Sequence, residues 1–137
     1  MGRRVVHFEV IGSDPERLRG YYGELFGWEF QLGDAVTEKV SRRGMYGFVD
    51  GGTTGDGAGV NGVNGGIGGG PGYSPRVLFY VGVPDVEAAL RQAERLGGKR
   101  IMGPEPRPGG EFTVGHFADP AGNVVGVAGP SMERESR

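Results

Sequence analysis

The sequence predicts an α+β fold of two paired βαβββ modules that form a cup-shaped, partly closed mixed sheet. Three observations predict it. A β-rich run, a proline-started or acid-capped helix, a glycine stop and a second β-rich run occur in that order twice. An offset of 71 residues brings the two copies into register, aligning Asp14 with Asp85, Leu25 with Leu96 and Gly27 with Gly98. Each copy is then followed by two further β-rich stretches. Such self-similarity is most simply read as an internal duplication.

The first strand is VVHFEVI, residues 5–11, bounded by Gly12-Ser13-Asp14-Pro15. Asp14 is a good N-cap and Pro15 suits the first helical position. Leu18, Tyr21, Tyr22, Leu25 and Phe26 then recur at helical spacing, giving one apolar face on which Tyr21 and Tyr22 are expected in the core. Gly27 stops the helix and WEFQL starts a strand. Strands at about 44–50 and 62–67 complete the first module, residues 1–70.

The second module, residues 73–129, opens with RVLFYVGV. Asp85 caps a helix whose stripe is Val86, Ala89, Leu90, Ala93 and Leu96, ended by Gly97-Gly98. Val77, Phe79 and Val81 are expected to pack beneath it, and Arg76, Leu78 and Tyr80 to face the other way. KRIM is the next strand, residues 103–110 read as an extended Pro- and Gly-rich loop, and strands at 111–118 and 123–128 complete the module. Residues 130–137 form a polar tail.

Residues 51–72 hold 12 glycines in 22 positions. Ordering such backbone is entropically costly, so this stretch is expected to be mobile around a short strand, as a lid or as a linker. Its Gly57-Ala58-Gly59-Val60-Asn61-Gly62 formally matches a dinucleotide fingerprint, but that motif requires a helix after it and the sequence shows no helical pattern there.

Composition excludes several classes. With 15 basic and 17 acidic residues the net charge is −2, so nothing draws the chain to nucleic acid or to a membrane surface. No apolar run spans a bilayer, and the first residues lack a secretory apolar segment, so a cytoplasmic location is expected. There is no cysteine, hence no disulfide, thiolate ligand or cysteine nucleophile.

VVHFEVIGSDPERLRGYYGELFGWEF and FYVGVPDVEAALRQAERLGGKRIMGPEP, closed by FADPAGNVVGV, resemble the vicinal oxygen chelate superfamily, which includes glyoxalase I, bleomycin-resistance proteins and extradiol dioxygenases. The likeness covers about residues 4–128. It implies a cup holding a divalent metal on His, Gln or Glu side chains of the first and last strands of each module. It also implies a homodimer. His7 stands at the first ligand position, whereas the matching place in the second module is Leu78 and the place after DPAGN is Gly126. The last strand of the first module, about Asn64–Ile67, offers no carboxylate or imidazole. A catalytic metal site wants about three protein ligands, so no cofactor is expected.

The resemblance then implies a protein that binds a small amphipathic or aromatic molecule without the metal. Candidate ligand-binding residues are His7, Glu9, Trp28, Tyr46, Phe48, Arg76, Leu78, Tyr80 and His116, with Arg76 able to pair an anionic group. The alternative is a metal-dependent lyase, isomerase or dioxygenase with a non-standard site such as His7, Glu9 and His116, the direction of His116 being open. For a metal-free reaction the candidate general bases are His7 and Glu9.

Overall fold

The computed structural model describes residues 2–56, 59, 61–108 and 110–131. The chain divides into two compact units, Val6–Val77 and, with the N-terminal residues up to Val5, the segment from Leu78 onward. The first carries β1 (Val5–Gly12), α1 (Pro15–Phe26), β2 (Gln31–Gly33), β3 (Tyr46–Val49) and β4 (Asn64–Gly69). The second carries β5 (Arg76–Gly82), α2 (Val86–Arg95), β6 (Lys99–Pro106), β7 (Phe112–Ala118) and β8 (Val124–Pro130). Each is a βαβββ module. The strand orders, β2-β3-β4-β1 and β6-β7-β8-β5, are equivalent, and in each the first and last strands pair in parallel while the others are antiparallel.

Both helices start as the sequence predicts. The Asp14 carboxylate accepts from the Arg17 amide at 3.2 Å, and the Asp85 carboxylate from the Ala88 amide at 3.0 Å. Gly27 ends α1 in the left-handed conformation, at φ 73°. The DPAGN turn is built on Asp119, whose Oδ1 accepts from the Ala121 and Asn123 amides, both at 2.9 Å. Hydrogen bonds from the Asn123 side chain and backbone hold that carboxyl below its ordinary range. In the second unit Val86, Leu90 and Val127 form a core with Val83, Ala89 and Phe117 against it. Glu87 of α2 grips both terminal nitrogens of Arg100 on β6 at 2.9 Å.

The structure corrects several expectations. Tyr21 is 60% exposed rather than core, and Leu25 and Phe26 are also exposed, because α1 turns Leu18, Arg19, Tyr22 and Gly23 inward and only one edge of its apolar arc is covered. Val77 and Phe79 do not lie under a helix: α2 packs across β6, β7 and β8 and leaves that face of β5 open. The segment after KRIM is not loop throughout, since β6 runs on to Pro106. The strand expected in the glycine stretch is present as β4, but it is not loosely flanked: every residue from 65 to 70 is buried. Gly57, Ala58 and Val60 of the fingerprint match and residues 132–137 of the polar tail lie outside the described residues. The next element after the fingerprint match is the strand β4, not a helix.

The reason β4 is buried lies in other strands. A Cβ on Gly65 would fall 2.0 Å from the Phe8 ring, and one on Gly66 would fall 2.1 Å from the Tyr46 ring. Phe8 and Tyr46 cover opposite faces of the strand, filling the volume its own side chains lack.

Candidate functional site

Strand alternation places His7 and Glu9 on one face of β1 and Phe8 on the other. The register sets Glu9 beside Gly66 on β4, with Phe48 of β3 on the far side of that glycine. Tyr46, also from β3, lays its ring across Gly66, and its hydroxyl reaches the first strand. There it donates to Glu9 Oε2 at 2.7 Å and lies 2.9 Å from His7 Nε2. Because the hydroxyl proton goes to the carboxylate, the hydroxyl oxygen accepts from the histidine, and the network assigns the ring proton to Nε2.

Glu9 is 2% and Tyr46 3% exposed, while His7 is half-buried. Burial pushes the His7 imidazole down to about 4, so it is neutral at pH 7. Phe48 sets its ring edge-on to Tyr46 at 4.8 Å.

The second unit repeats the theme with different letters. Gly126 on β8 is flanked by Tyr80 of β5 and His116 of β7. Under the 71-residue offset Tyr80 corresponds to Glu9, so Gly126 is the counterpart of Gly66. A Cβ on Gly126 would fall 2.3 Å from Tyr80 Cδ2. The Tyr80 hydroxyl and His116 Nε2 are 2.7 Å apart, and both side chains are buried. His116 therefore points to the same face as Tyr80. Each module thus sets a tyrosine ring over the glycine in the middle of its last strand, and bonds that tyrosine to a histidine.

Of the residues the sequence singles out, His7, Glu9, Tyr46 and Phe48 come together in the first unit, and Tyr80 and His116 in the second. Leu78 is buried at 3% exposure. Arg76 is half-buried, and its Nε finds no hydrogen-bond partner among the described residues. Trp28 is not brought to His7. It packs with Phe8 and Phe26 at 5.1 Å and with Tyr22 at 5.8 Å, on the Phe8 side of the sheet. Sequence reasoning missed Gly66 as a second glycine of the Gly126 kind. The signal was present as bulky rings on β1 and β3 set against a strand nearly devoid of side chains. Among the described residues no three His, Asp or Glu side chains gather as a metal-holding group.

Known proteins share this architecture. The profile of a glyoxalase-like domain matches residues 7–128. A search of curated proteins finds no match. Among solved structures the chain is similar to a Streptomyces coelicolor methylmalonyl-CoA epimerase in complex with 2-nitronate-propionyl-CoA. That likeness has 13% identity and a TM-score of 0.63, and covers 93% of this chain and 94% of that one. It is similar to a protein of Bacillus halodurans C-125, at 11% identity and a TM-score of 0.63, over 96% of each chain. It is also similar to the methylmalonyl-CoA epimerase of Mycobacterium tuberculosis, at 11% identity and a TM-score of 0.57, over 97% of this chain and 91% of that one. At such identities these structures speak to the fold. The family follows from the profile and from the duplicated βαβββ order: the chain belongs to the glyoxalase-like domain family of the vicinal oxygen chelate superfamily.

Proposed function

We propose that the protein binds a small amphipathic or aromatic molecule with an acidic or other hydrogen-bond-accepting group, and does so without a divalent ion. The observation that carries this reading is the pair of tyrosine rings over Gly66 and Gly126. The resemblance puts a metal-binding carboxylate at position 126, and a Cβ there would enter the Tyr80 ring. That ring is held at its far end by His116, so it cannot simply swing aside. The residues present do not fit the ion.

Other features support recognition by shape and hydrogen bonding. His7 is half-buried beside the Tyr46 hydroxyl and Phe48 half-buried edge-on to the Tyr46 ring, giving aromatic surface with a polar edge. Among the described residues the Arg76 Nε donor lacks a partner. A buried donor left unsatisfied costs about 1–3 kcal/mol, which a carboxylate or carbonyl of a bound molecule would offset.

Native mass spectrometry of the protein isolated from its own source tests this reading, together with elemental analysis after incubation with zinc, nickel and manganese and dialysis. The expected result is an organic adduct that Arg76→Leu weakens, with metal far below one ion per chain. One divalent ion per chain, lost in His7→Ala, would overturn it in favour of a metal-dependent lyase, isomerase or dioxygenase.

A further inference from the structure

The second unit carries a cavity of about 190 Å³ at the start of α2. Pro104 and Pro106 of β6 and Pro130 of β8 wall it, together with Val86 and Glu87 of the first helical turn, Thr113 of β7, and Ser131. It lies on the helix side of the sheet. Gly115 shares a face of β7 with Thr113, and a Cβ there would meet Leu90 and Val86 of α2. His116, which bonds Tyr80, points to the other face, so the cavity and that face can be filled separately.

Two independent features give the cavity hydrogen-bonding capacity. One is the helix end, whose first amides have no acceptor within the helix. Asp85 takes the Ala88 amide on its side chain and the Ala89 amide on its carbonyl, each at 3.0 Å. The amides of Val86 and Glu87 find no acceptor among the described residues. The other is Thr113. It is only 6% exposed, and its hydroxyl makes no hydrogen bond among the described residues. Of the side-chain nitrogens and oxygens described, Arg76 Nε alone is fully enclosed without a partner. The Thr113 hydroxyl therefore has open space before it, and the cavity is the space that Thr113 lines. Buried hydroxyls are ordinarily bonded, so this one calls for a ligand.

The charges decide which ligand. A helix N-terminus draws anions, but here Asp85 caps the helix and Glu87 stands in its first turn. Arg100 and Arg91 lie within hydrogen-bond distance of Glu87, at 2.9 and 2.7 Å, and Arg100 is also 3.7 Å from Glu94. Those two arginines are balanced by those two glutamates, which leaves no surplus cation for a further carboxylate. The donors that remain are uncharged, and the proline rings around them are apolar. The volume is below the ~300–1,000 Å³ of sites for larger ligands, so the occupant has few heavy atoms.

We infer that the cavity at the start of α2 binds a small uncharged carbonyl compound. Its oxygen accepts from the Thr113 hydroxyl and from a first-turn amide of α2, and its apolar atoms rest on Pro104, Pro106 and Pro130. Ketones and amides share this chemistry. The site is independent of what the His7 and Tyr46 face binds.

An NMR titration of the backbone amides of the intact chain tests it, with cyclopentanone, pyrrolidinone and isobutyrate as probes. The expected result is a saturable shift of the Val86 or Glu87 amide with the ketone or the lactam, at a dissociation constant on the order of 1 mM for so few atoms. Isobutyrate should bind more weakly than either, and the tighter of the two neutral rings tells ketone from amide. Thr113→Val should weaken that ring roughly fivefold, as loss of one hydrogen bond does, while Thr113→Ser should keep it. Because the hydroxyl has no partner in the fold, Thr113→Val should not lower the melting temperature. The inference is overturned if neither neutral ring shifts these amides, if isobutyrate binds as tightly as the rings, or if Thr113→Val binds unchanged. A Thr113→Val chain that loses its fold would show that the hydroxyl serves the structure, and would overturn it as well.

Discussion

At the scale of single residues, Gly126 is defined by the Tyr80 ring above it. Glycine to alanine in a strand ordinarily lowers the entropy of the unfolded chain and stabilises. Here the added methyl meets a ring held by His116. Gly126→Ala should therefore destabilise by about 1–3 kcal/mol in urea denaturation. Tyr80→Ala in the same chain should reduce that penalty, giving a measurable coupling between the two positions.

Tyr46→Phe removes one hydroxyl that serves both His7 and Glu9 in a buried setting, and should cost about 1–3 kcal/mol. His7 adds a pH dependence. Its folded pKa, about 4, lies below the ordinary value of 6.5 that the unfolded chain retains. Below pH 6.5 the unfolded state takes up a proton that the folded state refuses, so stability falls as pH drops. The loss approaches roughly 3 kcal/mol and levels off once pH passes below about 4. His7→Gln should flatten that part of the stability profile, as read from denaturation midpoints between pH 7 and pH 4.

At the scale of elements, β4 should be among the best protected strands. Amides of Gly65–Gly69 should exchange slowly with deuterium, because the strand lies between β1 and β3 under aromatic rings. Fast exchange there, equal to that of Gly52, would contradict the packing described. This element also marks the limit of what the sequence discloses. The strand–helix–glycine–strand order was legible because caps, stops and alternation are local, and they recur at one offset. In the glycine run the strand itself was legible from Val63 and Ile67, but its burial was not, because what covers it comes from Phe8 and Tyr46, far away along the chain. Val77 and Phe79 failed for a related reason. Alternation tells which residues share a face, but not that α2 drifts over β6–β8 and leaves β5 bare. The His7, Glu9 and Tyr46 group was half legible: alternation joined the first two, and only the register of β3 supplied the hydroxyl between them.

At the scale of the whole molecule, the tyrosine-over-glycine arrangement predicts indifference to chelation. A ligand bound only by the folded state raises the melting temperature. Adding zinc or nickel, or removing divalent ions with EDTA, should leave the melting temperature of this protein where it is. A rise of several degrees with either metal, abolished by EDTA, would count against the proposed mode of binding.

The position of Trp28 has a practical corollary. It is the sole tryptophan, packed against Phe26 and Tyr22 behind the sheet face that carries His7 and Glu9. Its indole emission should shift to the blue when the exposed Phe26 ring is covered and loses solvent. Compounds arriving at His7 should leave that emission nearly untouched. One fluorophore, already present, thereby separates events at the Phe26 edge of α1 from those at the His7 face in a single cuvette.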